Sequence, residues 1–268
     1  MMPILQIEQT KCIQCGACAA VCPIAAITIG ESGPKEEANI EFCIHCGHCV
    51  AVCPNAALDN QESTLKNQVK IQKELSWDAE QASQFLRSRR SIRNYRPEQV
   101  PKEKLLQLLD VARFAPTGGN SQGISFRVIS GQENLHKLTA ATLDWLRQEA
   151  GFGNTDRFIQ AFNEGKDPIL RNAPHLIVAL CCREFAEIGR SNAAFSLAYA
   201  ELFAPTIGLG TCWAGFLQHC AFSGYAPLLG ALNLPADLTV AGALMVGYPL
   251  FRYHRLVDRN PLKVSWNE

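Results

Sequence analysis

The 268-residue chain has no surplus of charge of either sign: 25 lysines and arginines face 25 aspartates and glutamates. That balance, with no broad basic stripe and no interleaved aromatics, excludes wholesale nucleic-acid binding. No stretch reaches roughly 18 uninterrupted apolar residues, which excludes a membrane-spanning helix. The opening MMPILQIEQTK lacks the basic region and apolar run of a secretory signal, so a cytoplasmic protein is expected. What the chain has in plenty is cysteine, 12 residues in all. In a reducing compartment so many thiols point to metal or redox chemistry rather than to disulfides.

Eight of those cysteines lie between Cys12 and Cys53, and the other four are Cys181, Cys182, Cys212 and Cys220. Charge divides near the same boundary. Residues 1–62 hold two lysines and no arginine against seven acids, so an acidic head of net −5 is joined to a body of net +5. The polar stretch from 63 to 76 reads as a linker or a loosely packed arm. Two domains are expected, residues 1–62 and residues 63–268.

The head contains a repeat. CIQCGACAAVCPIAAI (12–27) and CIHCGHCVAVCPNAAL (43–58) align at an offset of 31, with 11 of 16 positions identical. Two copies of one small unit are expected to pack together. About 60 residues is near the lower limit for an independent core, so a staple is needed, and bound metal would supply it.

Each copy spells C-x2-C-x2-C-x3-C-P. Three thiolates at successive two-residue gaps can wrap one corner of a cubane, while the fourth, fixed by its proline, ligates the other cluster. Cys12, Cys15, Cys18 and Cys53 are therefore candidate ligands of one 4Fe–4S cluster. Cys43, Cys46, Cys49 and Cys22 are candidates for a second. Gly16 and Gly47 fall inside the tight loops, where positive φ is needed. With both motifs complete, the first 60 residues resemble the bacterial two-cluster ferredoxins. Zinc is the weaker reading, because zinc sites use two separated cysteine pairs rather than a three-cysteine run ending in Cys-Pro. His45 and His48 read as solvated loop residues. The four later cysteines read as packed core thiols.

The body alternates helices and strands. A helix is expected from Asp78. Another follows Pro101, with Leu105, Leu108, Leu109 and Ala112 on one face, and stops at Ala115-Pro116. Strands are expected over 124–130, 176–182 and 238–247, the second buried on both faces. Helices are expected over 132–150 and 190–207, the latter almost uniformly apolar, central and ended by Gly208. The class is α/β, with a mixed sheet flanked by helices.

Four motifs in the body carry chemistry. Arg87-Ser88-Arg89-Arg90-Ser91-Ile92-Arg93 packs four arginines into seven residues, and arginine forks with a hydroxyl suit a phosphate. Ala115-Pro-Thr-Gly-Gly-Asn-Ser-Gln122 is a helix stop followed by a glycine-rich polar loop. Gly208-Leu-Gly-Thr-Cys-Trp-Ala-Gly-Phe216 puts small residues where backbone N–H groups can reach a ligand edge. Tyr248-Pro-Leu-Phe-Arg-Tyr-His-Arg255 adds further arginines. In this order and spacing they resemble the flavin-dependent nitroreductase family, across roughly residues 77–268.

That resemblance implies a nitroreductase-like α/β sandwich and a homodimer with FMN at the subunit interface. It places Arg89, Arg90, Ser91 and Arg93 on the FMN phosphate, ribityl chain and pyrimidine edge, and Arg255 on the phosphate. Pro116, Thr117, Gly118, Asn120 and Gln122 would come from the partner subunit, and backbone N–H groups around Ala214 and Gly215 would face the reactive flavin nitrogen. The chain departs from the family at Gly118, where a second hydroxyl residue is common, at Gly123-Ile124, where Pro-Trp is common, and at Tyr253, where a basic residue is common.

The reading that results is an oxidoreductase in which a ferredoxin-like head with two 4Fe–4S clusters exchanges electrons with FMN to reduce a small acceptor, nitroaromatic or quinone-like. NAD(P)H and an external ferredoxin are the candidate donors. No catalytic side chain is named, because such chemistry needs placement over the flavin more than an acid or base. Cys212 is the one candidate nucleophile, weighed against a packed thiol. The rival readings are a non-enzymatic electron carrier serving a partner, and a head whose clusters are structural only.

Overall fold

The repeat visible in the cysteines is also present in the backbone. In the computed structural model, which describes residues 3–149 and 155–267, the chain forms two compact units. The first comprises residues 1–76 with 119–121, and the second residues 77–118 with 122–268. Strands β1 (Leu5–Ile7), β2 (Ile27–Gly30), β3 (Gly33–Glu36) and β4 (Leu58–Asn60) and the one-turn helices α1 (Ala17–Ala20) and α2 (His48–Ala51) build the first. β1 pairs antiparallel with β4, and β2 with β3. Each strand that follows a cysteine motif thus pairs with the strand that precedes the other. Non-glycine residues with left-handed φ recur 31 apart, Gln14 with His45 and Ala25 with Ala56.

The core of this unit is small: Leu5, Cys18, Ile27, Cys49, Val50 and Leu58. The stretch after residue 62, expected as a linker or a loosely packed arm, begins as a turn held on β4. Asp59 Oδ1 accepts from Leu65 N at 2.7 Å, and Asn60 Oδ1 accepts from Glu62 N at 2.9 Å and Ser63 N at 3.2 Å. Through Ser76 the stretch groups with the first unit.

In the second unit Asp78 starts α3 (Ala79–Ser88) with a reciprocal cap: its side chain accepts from Gln81 N at 2.8 Å, and Gln81 Oε1 accepts from Asp78 N at 3.3 Å. α4 (Lys102–Ala112) follows Pro101 and buries Leu105, Leu108 and Ala112. Then come β5 (Ser125–Ser130), α5 (Gln132–Gln148), α6 (Thr155–Asn163), β6 (His175–Cys182), α7 (Ala186–Phe203), β7 (Gly210–Trp213), α8 (Gly215–Phe222), α9 (Ala226–Leu232) and β8 (Leu238–Gly247). The helix expected over 132–150 ends at Gln148, and Ala150 lies outside the described residues.

The sheet runs β5-β6-β8-β7, with every ladder antiparallel. Among the described residues it is mixed only through Ser91, which bridges Thr211 in parallel. Alternate residues of β6 feed two cores, as the two-residue period of a strand requires. Leu176, Val178 and Leu180 pack with Leu138, Leu217 and Leu228 from α5, α8 and α9. Ile177, Ala179 and Cys181 pack with Leu108 and Leu197 from α4 and α7. Each fully buried Leu, Ile or Val contributes about 1.5–3 kcal/mol, which makes β6 the centre of the unit.

α7 begins four residues before its expected start, and its last turn, Ala204–Ile207, tightens to a 3₁₀ helix ended by Gly208 at φ 77°. Its expected burial holds on one face only. Ala193, Leu197 and Ala200 are buried, whereas Ile188, Phe195 and Tyr199 stand 48%, 53% and 40% exposed along the other. A helix apolar all round carries no contrast from which to read the packed face. Among the described residues no helix is long and apolar enough to cross a membrane.

His175 opens β6 and is buried. Its Nε2 accepts from Val100 N at 2.9 Å, which leaves the proton on Nδ1 to donate to Ser130 Oγ at 2.6 Å. Burial lowers its pKa, because the charged ring loses solvent. The neutral form is therefore the folded form. The stability it contributes is complete above the unfolded pKa of about 6.5 and is lost as pH falls toward the folded value. Urea unfolding of the native protein and His175→Gln should show a stability gap that narrows from about pH 7.5 to about pH 5.5. A gap that widens over that range contradicts the assignment.

Candidate functional site

The first unit encloses two small cavities, and each is lined by four thiols. Cys12, Cys15 and Cys18 line one, and the fourth thiol there is Cys53. Cys43, Cys46 and Cys49 line the other, and the fourth is Cys22. The fourth cysteines are supported alike: Ala26 N donates to Cys22 Sγ at 3.3 Å and Ala57 N to Cys53 Sγ at 3.2 Å. Burial raises the pKa of Cys18 and pushes Cys49 up to about 11, because a buried thiolate loses solvent. His45 and His48 are exposed.

Three of the later cysteines, Cys181, Cys212 and Cys220, are buried and poor nucleophiles, whereas Cys182 is half-buried. Burial raises the thiol pKa of Cys181 and Cys212 and pushes Cys220 up to about 12. Cys212 is packed in the β6 core cluster.

In the second unit the segment after α3 runs extended beside β7. Ile92 N donates to Thr211 O at 2.8 Å, and Arg96 N to Tyr248 O at 2.9 Å. Extended backbone sends alternate residues to opposite sides, which divides the predicted phosphate set. Arg89 Nη1 reaches Ser91 Oγ at 3.4 Å and Glu201 Oε1 at 3.4 Å, and Arg93 Nη1 donates to Ser91 O at 3.4 Å. Arg90 turns instead to the Arg87 carbonyl and lines a groove of about 510 Å³ with Ser88, Arg96, Arg252 and Tyr253. Its buried Nε has no protein partner among the described residues. Arg255 is exposed on the C-terminal segment.

The loop after α4 is held by one of its own side chains and by one from α7. Gln122 N donates to Thr117 Oγ1 at 3.0 Å, and Gly118 N donates to Asn192 Oδ1 at 3.1 Å. Pro116 is exposed. Asn120 groups with the first unit, where its amide donates to Ile44 O at 2.9 Å. Asn120 and Gln122 both sit at left-handed φ, 52° and 49°. Beyond β7, the Ala214 N–H is committed to Ala243 O at 2.9 Å. Of the two predicted donors this leaves Gly215, the first residue of α8, whose Cα faces open space.

Glu201 was not foreseen as a site residue. It is buried, accepts from Trp213 Nε1 at 2.7 Å and lies 3.5 Å from Thr211 Oγ1. One signal pointed to it: it is the only Asp, Glu, Lys or Arg between Arg190 and Asp237. A lone charge in so apolar a stretch must be paired inside.

Known proteins share both parts of this architecture. The profile of the nitroreductase family matches residues 86–248, and that of a 4Fe-4S dicluster domain matches residues 11–57. The chain therefore belongs to the nitroreductase family, and it carries a 4Fe-4S dicluster domain ahead of the family domain. A protein of Archaeoglobus fulgidus, provisionally named an NADH dehydrogenase/NAD(P)H nitroreductase, is 27% identical over 172 residues, 63% of this chain and 86% of its own length. A protein from Desulfovibrio desulfuricans, provisionally named a nitroreductase and solved in complex with FMN, is 26% identical, with a TM-score of 0.51 over 70% of this chain and 94% of that one. The fold is shared with a nitroreductase of Desulfitobacterium hafniense solved with bound FMN, at 19% identity and a TM-score of 0.57 over 69% of this chain and 97% of that one.

The two cysteine loops differ in what covers their glycines. Gly16 (φ 78°) and Gly47 (φ 69°) both precede their short helices in left-handed conformation. A Cβ on Gly16 would meet nothing nearer than Ile29 at 3.9 Å, whereas one on Gly47 would press on Ser63 and on Gln68 Nε2 at 3.0 Å. Gly16→Ala should lose about 1–2 kcal/mol from backbone strain alone. Gly47→Ala should lose a further ~1–3 kcal/mol from overpacking. Thermal unfolding of the two variants checks the order, and equal losses would show that the 63–68 turn does not press on this loop.

Proposed function

We propose that the protein is an FMN-dependent oxidoreductase whose head binds two 4Fe–4S clusters and passes electrons to the flavin, which reduces a small nitroaromatic or quinone-like acceptor. The observation that carries this reading is the four-thiol lining of each cavity, three cysteines from one repeat and one from the other. When bound, the clusters would carry single electrons, and FMN would take electrons singly and deliver them in pairs. The cysteines bind and insulate. Ala26 N and Ala57 N would donate to the ligating sulfurs of Cys22 and Cys53.

Several features of the second unit suit a phosphorylated flavin. Arg89, Ser91 and Arg93 share one side of an extended segment, and the buried Arg90 Nε lacks a partner that an anion would supply. Gly215 opens α8 with free space before it. Both FMN-bound relatives named above support the same cofactor. The exposed stripe Ile188, Phe195 and Tyr199 on α7 suits burial against a second copy, with FMN at that interface. The candidate electron sources are a one-electron protein donor at the clusters and, as the name of the Archaeoglobus relative suggests, NAD(P)H at the flavin. Cluster chemistry of this kind suits a reducing cytoplasm.

The crossed cysteines give a direct test. Cys22→Ser removes a thiol from the cavity of Cys43, Cys46 and Cys49, although its sequence neighbours are Cys12, Cys15 and Cys18. EPR of the reduced variant should lose one of two cluster signals while the FMN content stays unchanged. Pairing that lost signal with the one removed by Cys46→Ser supports the reading. Pairing it with the one removed by Cys15→Ser refutes it.

A further inference from the structure

The cofactor reading leaves one buried charge without a role. Glu201 on α7 is 5% exposed. A carboxylate taken out of water is costly unless it is paired and fully hydrogen-bonded. Its oxygens gather three groups. Oε2 accepts from Trp213 Nε1 at 2.7 Å, and Oε1 faces Arg89 Nη1 at 3.4 Å and Thr211 Oγ1 at 3.5 Å. Burial pushes its pKa up, and these three partners, Arg89 foremost, pull it back.

The partners belong to different parts of the cradle. Arg89 caps the C-terminal end of α3, and Thr211 and Trp213 lie on β7. Thr211 bridges Ser91, and Trp213 immediately precedes Ala214 and Gly215. One carboxylate therefore ties the arginine proposed for the phosphate end of FMN to the strand that delivers the Gly215 N–H to its ring end. An untethered arginine side chain must lose rotamer freedom on binding, and a guanidinium already held by a carboxylate has lost it beforehand.

We infer that Glu201 is a positioning residue for the cofactor: it holds Arg89 and β7 in fixed relation, so that the remaining donors of Arg89 and the backbone N–H of Gly215 address the two ends of one FMN. This inference rests on the cofactor reading above. It predicts that Glu201 acts through Arg89, which a carboxylate serving the fold alone would not do.

The test is FMN binding by the full-length protein stripped of flavin, followed by quenching of flavin fluorescence. Glu201→Gln keeps the volume and an acceptor for Trp213 but removes the charge that holds Arg89. It should raise the FMN Kd by roughly tenfold, as should Arg89→Ala, and the double variant should lose much less than the product of the two. An unchanged Kd in Glu201→Gln, or losses that multiply in full, would overturn the inference. A lowered melting temperature of the flavin-free protein without a change in Kd would do the same, because it marks a role in the fold only. If Glu201→Gln does not accumulate folded, Trp213→Phe removes the donor to Oε2 and carries the same comparison with Arg89→Ala. Failure of the unaltered chain to bind FMN would instead overturn the cofactor reading itself.

Discussion

Two cysteines leave their own repeat. Cys22 lines the cavity of the second motif and Cys53 that of the first, so neither four-thiol set can be completed by one half of the head. The backbone obeys the same exchange, since β1 pairs with β4 and β2 with β3. Cys18 and Cys49 serve both purposes: they line the cavities and they belong to the small apolar core. In a unit so close to the lower size limit for an independent core, the thiols and the hydrophobic interior are one object. Losing the metal would loosen the fold, and loosening the fold would open the metal sites.

The second unit is built on the opposite principle. Its centre is β6, buried on both faces, with a full apolar layer on each side of the sheet. Such a frame is stable enough to hold polar groups inside, provided each is satisfied. His175 ties the Val100 backbone to Ser130, and Glu201 ties α3 to β7. Both stand where an extended segment must be kept against the sheet. The side chains proposed to hold the flavin would then lie on segments held by a rigid scaffold, as small-molecule sites require.

The cysteine pattern was legible because its spacing is itself the chemistry, and the two central strands were legible because a continuous apolar run has few other fates. Strand direction was not: LIVALCC and LTVAGALMVG read alike in parallel and antiparallel pairing. The four residues Arg89, Arg90, Ser91 and Arg93 looked like one cluster on paper, yet an extended backbone turns Arg90 away from the others. The small residues Ala214 and Gly215 looked equivalent, but β8 takes the Ala214 N–H. Whether the polar stretch after residue 62 is a linker or a packed arm did not show in the stretch itself, because the side chains that hold its first turn, Asp59 and Asn60, come before it. Glu201 was visible as a lone charge, and only the fold showed which three groups it gathers.

On the proposed function, electrons reach the flavin through the head. Anaerobic rapid mixing of the intact protein with a reduced ferredoxin tests it, with freeze-quench EPR reporting the clusters and visible absorbance the flavin. The cluster signals should rise first and flavin reduction should follow them, slowing sharply in Cys22→Ser. Flavin reduced while both clusters remain oxidised, at a rate unaffected by that substitution, would contradict it.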